Sequence, residues 1–154
     1  MDEPTITKAH GLFGNATRVD VTIHATPARV WQLLTDAEGF PKWNSTVAEV
    51  QGRIAEGERL QVRVPGYERT LKPTVSCVVD NQQMTWTGGR GPLFKGTRTF
   101  VLTPRADGDT DFAMEERFSG LLVSLMEGPD FGPIFERYAI DLKHEAERNG
   151  VAPH

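Results

Sequence analysis

Arg98, Glu116 and Tyr138 are the residues whose types and spacing could do chemistry in this sequence. In "KGTRTFVLTP" Arg98, Phe100 and Leu102 fall on one face of a strand, and in "TDFAMEERFS" Phe112, Met114, Glu116 and Phe118 do the same. The loop "RADGD" joins the two runs. If it pairs Pro104 with Thr110, then Leu102 stands opposite Phe112, Phe100 opposite Met114 and Arg98 opposite Glu116. One cation and one anion then share an otherwise apolar face, where each costs several kcal/mol to desolvate unless the two pair. Such a pair could dock the carboxylate or phenol of a ligand, and Glu116 could serve as a general acid or base. Arg98 as partner would lower the Glu116 pKa and weaken it as an acid. Tyr138, on the apolar stripe of a later helix, could donate a hydrogen bond to an enolate or carbonyl, or simply pack as a core aromatic. A register slip of one residue would turn Arg98 and Glu116 outward, where the pair would be solvated and structural.

Other reactive types carry less. His10, His24, His144 and His154 fall in a tail, on a strand's polar face, on a polar helix face and at the terminus, with no metal-ligand spacing, so neither a metal nor a cofactor is implied. Cys77 alternates with Val75 and Val79 and reads as a small core hydrophobe. Ser119 and Ser124 lack a hydrolase elbow, and "GGRGPLFKG" is no phosphate loop but a loop at a pocket mouth. Trp86, on the face of Met84, offers an aromatic wall or plain packing, and Phe40 and Trp43 can wall the place where short helices meet the sheet.

The elements that must position these residues follow from periodicity. "RVDVTIHA" alternates as a half-buried strand. In "TPARVWQLLTDAEGFPKWN" Thr26 caps a helix that starts at Pro27, Val30, Leu33 and Leu34 make its apolar stripe, and Asp36 caps a second short turn. Strand-like runs follow at about 45–52, 58–65, 70–80, 82–88, 95–104 and 109–119, parted by short turns that imply antiparallel neighbours. Pro73 puts a bend, bulge or sheet edge in the third of these runs. Phe131, Ile134, Phe135, Tyr138, Leu142 and Ala146 then mark a long amphipathic helix ending near Gly150. A curved sheet needs its concave face filled, and one helix cannot plug it fully, so a cavity between helix and sheet is expected.

The 154 residues fit one domain, with a core from about 18 to 149. A net charge of −4 with scattered Lys and Arg argues against nucleic acid. One cysteine excludes an internal disulfide, and "LLVSLM" is too short to span a bilayer, so a cytoplasmic protein with no stable membrane insertion is expected.

"ATPARVWQLLTDAEGFPKWNSTV" at 25–47, "LKPTVSCVVDNQQMTWTG" at 71–88, "LFKGTRTFVLTP" at 93–104 and "ERFSGLLVSL" at 116–125 resemble the SRPBCC superfamily of START-related proteins and polyketide cyclases. The resemblance implies an α+β helix-grip fold: a seven-stranded curved antiparallel sheet, in the order β-α-α-β6-α, wrapped around the C-terminal helix. It also implies a ligand-sized apolar pocket, since the superfamily includes lipid carriers, hormone receptors, aromatase/cyclases and chaperone cofactors. The expected function is binding or transport of a small hydrophobic molecule, with Trp43, Trp86, Arg98, Phe100, Leu102, Met114, Glu116, Phe131, Phe135 and Tyr138 around it. The alternatives are a cyclase/aromatase or isomerase using Glu116, Arg98 and Tyr138, and a protein-interaction module supported by "LLVSLM". The segment "LLVSLMEGP" is also a candidate homodimer contact.

Overall fold

A hairpin of two long strands, β7 (Phe94–Pro104) and β8 (Thr110–Ser119), sets the frame. The computed structural model describes residues 3–10, 14–66, 68–90, 94–120 and 131–150. Before the hairpin come β1 (Thr5–His10), β2 (Gly14–Ile23), α1 (Pro27–Leu34), α2 (Phe40–Trp43), β3 (Glu49–Gln51), β4 (Gln61–Arg63), β5 (Thr74–Val79) and β6 (Gln83–Arg90); α3 (Gly132–Gly150) closes the order. The fold is the expected α+β helix-grip, with α3 lying across an antiparallel sheet whose strand order is β1-β2-β8-β7-β6-β5.

The strand count differs from the seven expected. The sheet has six strands, and β3 with β4 forms a separate two-stranded ribbon. The first expected run shrinks to three residues because its start, after α2, is a turn in which Asn44 Oδ1 accepts from Thr46 N and Oγ1. The ribbon still docks on the sheet edge: Leu60 N donates to Pro73 O at 2.8 Å and Val62 N to Leu71 O at 2.7 Å. The tail expected around His10 is instead strand β1, paired to β2 from Thr5↔Asp20 to His10↔Asn15. Only Ile6 of β1 packs against the core, so its sequence shows no alternation to betray it.

Thr26 caps α1 as expected, its Oγ1 accepting from Arg29 N at 3.2 Å, and Val30, Trp31, Leu33 and Leu34 are buried. Asp36 accepts from Gly39 N at 3.2 Å, which leads the chain into α2. Pro73 directly precedes β5, the sheet's terminal strand. There a bulge between Ser76 and Val79 sets Cys77 at φ 55°. The extra residue reverses the alternation beyond Val75, so Cys77 is exposed and not core, and Val79 is 42% exposed while Val78 turns inward.

Phe135, Tyr138, Ala139, Leu142 and Ala146 form the buried stripe of α3. Ile134, expected on that stripe, is 42% exposed, because it lies about 100° of helix rotation from Phe135 on the far side from Ala139. Polar ties hold α3 in place: Asp141 Oδ2 accepts from Ser45 N at 2.8 Å and Ser45 Oγ at 2.7 Å, and Lys143 Nζ donates to Thr22 O at 2.8 Å.

Candidate functional site

The register of the central strands stacks the concave face in rungs. Trp86 pairs with Arg98, and Arg98 with Glu116. On one side of this rung lies Met84, Phe100, Met114 and Val19, all without exposed surface, followed by Leu102, Phe112 and Val21. On the other side lies Gly88, Gly96 and Phe118. Two adjacent glycines leave that rung without side chains on β6 and β7. A Cβ on Gly88 would meet only Pro73 Cα, at 3.8 Å, while one on Gly96 would press on the Phe118 ring at 3.3 Å. Phe118 is half-buried and stacks on Phe131 with centroids 5.2 Å apart. Among the described residues the concave face is thus sealed at the Phe112 end and least filled at the glycine rung. The loop residues 91–93 and the segment 121–130, which includes "LLVSLM", lie outside the described residues.

Arg98 and Glu116 sit at the transition. Arg98 Nε donates to Glu116 Oε1 at 2.6 Å, with side chains 23% and 16% exposed. The guanidinium carbon lies 5.1 Å from the Phe135 ring centroid and 5.8 Å from that of Tyr138, within cation–π range of both. Burial alone would lower the Arg98 pKa, but the charge and hydrogen bond of Glu116 together with Tyr138 outweigh it and the net shift is upward. Arg98 therefore stays charged and is neutralised locally by its partner.

Deeper in, aromatic rings form one connected cluster. Phe40, dropped inward by α2, lies 5.0 Å from Trp43, 6.1 Å from Trp86 and 6.4 Å from Tyr138 by ring centroids. Tyr138 is also 6.0 Å from Trp43 and 6.3 Å from Phe100, and Trp86 is 5.2 Å from Phe100. Burial raises the Tyr138 pKa well above the ordinary phenol value, with Arg98 opposing only in part, so the hydroxyl remains a neutral donor. Within this cluster Trp43 Nε1, Trp86 Nε1 and Tyr138 Oη are buried with no hydrogen-bond partner, as is Asn44 Nδ2 next in sequence. Asn44 was not marked by sequence. It is 1% exposed and its Oδ1 accepts from Thr46 N and Oγ1, a burial that a helix-ending Asn does not announce.

Sequence reasoning therefore named residues that the fold does bring together: Trp43, Trp86, Arg98, Phe100, Met114, Glu116, Phe135 and Tyr138 face one interior, with Leu102 at its sealed end and Phe131 stacked on Phe118 by the glycine rung. The expected void is not what the described residues show there, because the rings themselves close the space. An open groove of about 720 Å³ lies elsewhere, between the end of α1, the 52–56 loop and β5, lined by Trp31, Asp36, Ile54, Glu56, Val78 and Asp80. It shares no residue with the aromatic interior.

A six-stranded antiparallel sheet gripping a C-terminal helix, with one ion pair on an otherwise apolar concave face, defines the class of helix-grip proteins. Residues 16–145 match the family described as polyketide cyclase / dehydrase and lipid transport, and the chain belongs to that family. Among solved structures it is similar to a START superfamily protein from Mycobacterium smegmatis, at TM-score 0.68 and 18% identity over 87% of this chain and 98% of that one. It is also similar to CalU16 from Micromonospora echinospora, at TM-score 0.68 and 14% identity over 97% and 87%. A third likeness is to the di-domain ARO/CYC StfQ from the steffimycin biosynthetic pathway, at TM-score 0.69 and 13% identity over 91% of this chain and 53% of that one. At these identities the likeness is one of fold. No curated protein matches the sequence.

Proposed function

We propose that the protein binds or carries a small hydrophobic molecule between α3 and the concave face of the sheet. The observation that carries this reading is the set of three buried donors, on Trp43, Trp86 and Tyr138, that no protein acceptor satisfies. Each such group costs about 1–3 kcal/mol, and three together approach the whole stability of a domain, about 5–15 kcal/mol. Phenylalanine would pack at each place without that cost, so the N–H and O–H groups are better explained by a partner that enters than by packing. Ring stacking on the molecule, displacement of Phe40 and Trp43 on the four-residue α2, and entry over Gly88 and Gly96 complete the picture. The family's lipid transport members and the START-related fold support the same reading.

The catalytic alternative, a cyclase or isomerase, asks Glu116 to exchange a proton while Arg98 holds it at 2.6 Å, and relies on the neutral Tyr138 hydroxyl as donor to a carbonyl. Binding makes no such demand. We take the protein to act in the cytoplasm, on the support of its single cysteine. Among the described residues no helix is long and apolar enough to cross a membrane. Native mass spectrometry of freshly purified protein, followed by solvent extraction, tests the proposal: a stoichiometric apolar molecule is expected. A protein that stays empty and whose melting temperature no apolar probe raises would refute it.

A further inference from the structure

We propose that the ligand is an electrically neutral molecule with an apolar body and at least one oxygen acceptor, such as a ketone, ester or lactone, and that Trp43, Trp86 and Tyr138 select it against both its hydrocarbon and its carboxylate counterparts. This inference rests on the ligand reading above and narrows it to a chemical class.

Three features of the interior argue for it. Two of the uncommitted groups, the indole N–H groups of Trp43 and Trp86, can only donate, and the Tyr138 hydroxyl and the Asn44 amide nitrogen offer further donors beside them. A hydrocarbon would leave these donors unpaired, and a protonated amine, itself only a donor, would leave both indole N–H groups unpaired. The second feature is charge. The interior's cation is already matched, since Arg98 is bound to Glu116 and lies over the rings of Phe135 and Tyr138. A carboxylate buried against neutral donors would therefore bring an uncompensated negative charge beside Glu116. The third is position. The ion pair shares its rung with Trp86 and lies beside Phe135 and Tyr138, so a molecule that reaches the donors also lies against charged groups that are already matched. A neutral acceptor is the chemistry that meets every group already present without displacing the ion pair.

The test is isothermal titration calorimetry at neutral pH with naphthalene, acetylnaphthalene and naphthoate, which share one apolar body and differ in the acceptor. Acetylnaphthalene is expected to bind about tenfold or more tighter than either of the others, the gain of relieving a buried unpaired donor. Trp86→Phe and Tyr138→Phe each remove one donor and keep a ring; in at least one of them the ketone's advantage over naphthalene should shrink severalfold while naphthalene binds as well as before. Having two variants keeps the test open if one fails to fold by circular dichroism. The inference is overturned if naphthoate binds tightest, or if the ratio of ketone to hydrocarbon is unchanged in both variants. A wild-type protein that binds none of the three would sink the ligand reading itself, an outcome distinct from binding without selection.

Discussion

Removing one partner of the Arg98–Glu116 pair tests whether the concave face holds it as a sheltered unit. Glu116→Gln keeps the shape and one acceptor but deletes the charge; Arg98→Met keeps the stem over Phe135 and Tyr138 and deletes the guanidinium. Unit charges about 4 Å apart attract by about 4 kcal/mol at an effective dielectric of about 20, and desolvation and ordering cancel much of that. With side chains 23% and 16% exposed, the pair stands between surface bridges at about 0–1 kcal/mol and buried ones whose breaking costs about 3–5 kcal/mol. Each single substitution is therefore expected to destabilise by about 2 kcal/mol, or about 4–8 °C in melting temperature for a chain of this size. The double variant should cost less than the sum by about 1 kcal/mol, measured by urea unfolding as a double-mutant cycle. The coupling should persist at about 1 M salt, because the surrounding rings exclude ions. A coupling below about 0.3 kcal/mol, or one abolished by salt, would show the pair to be an ordinary solvated bridge and would refute the reasoning.

Gly88→Leu places bulk on the open rung where a Cβ meets only Pro73, so stability should stay within about 0.5 kcal/mol while binding of an apolar probe by calorimetry falls about tenfold or more; unchanged affinity would move the entrance elsewhere. Tyr138 has a folded pKa raised above its unfolded value, so its contribution to stability is whole below pH about 10 and is lost as pH rises through the folded value. In a Tyr67→Phe background, tyrosinate absorbance should then appear only together with cooperative unfolding, and a gradual titration near pH 10 in native protein would contradict this. Thr110→Val removes the fully buried Oγ1 that donates to Ala25 O at 2.8 Å and should cost about 1–2 kcal/mol in urea unfolding. Cys77, exposed at φ 55°, should react with iodoacetamide in the native state, and Cys77→Gly should be neutral or stabilise by up to about 1 kcal/mol.

What could be read from sequence was set by alternation and by turn length. The pairings Arg98↔Glu116, Phe100↔Met114 and Leu102↔Phe112 occur as the loop "RADGD" and the apolar face required, since a slip of one residue would have turned Phe100 and Phe112 to water. Alternation fails where one side of a strand buries little, which hid β1, and where a bulge inserts a residue, which reversed Cys77 and Val79. It also says nothing of partners across the core. Tyr138 and Trp86 were visible as large residues on inward faces, yet that their polar atoms lack acceptors depends on Phe40 and Phe100 packing around them, a fact of three-dimensional closure alone.

The docking of the β3–β4 ribbon on β5 has a consequence for solubility. An open sheet is a template for other chains wherever a terminal strand offers unpaired amides. Here Val75 of β5 donates to Glu58 O and accepts from Gly57 N, and Leu71 and Pro73 just before it pair with Val62 and Leu60, so the first part of that flank is already occupied. The outermost strand beyond it is the three-residue β3, whose Glu49 is tied to Arg63 at 3.0 Å, and the opposite flank is β1, with Lys8 at its centre and mostly exposed side chains. Short length on one side and a lysine on the other both discourage strand-by-strand stacking. Self-association of this chain is thus expected to proceed through side-chain surfaces and not by extending the sheet, and fibril growth from the native state should be slow.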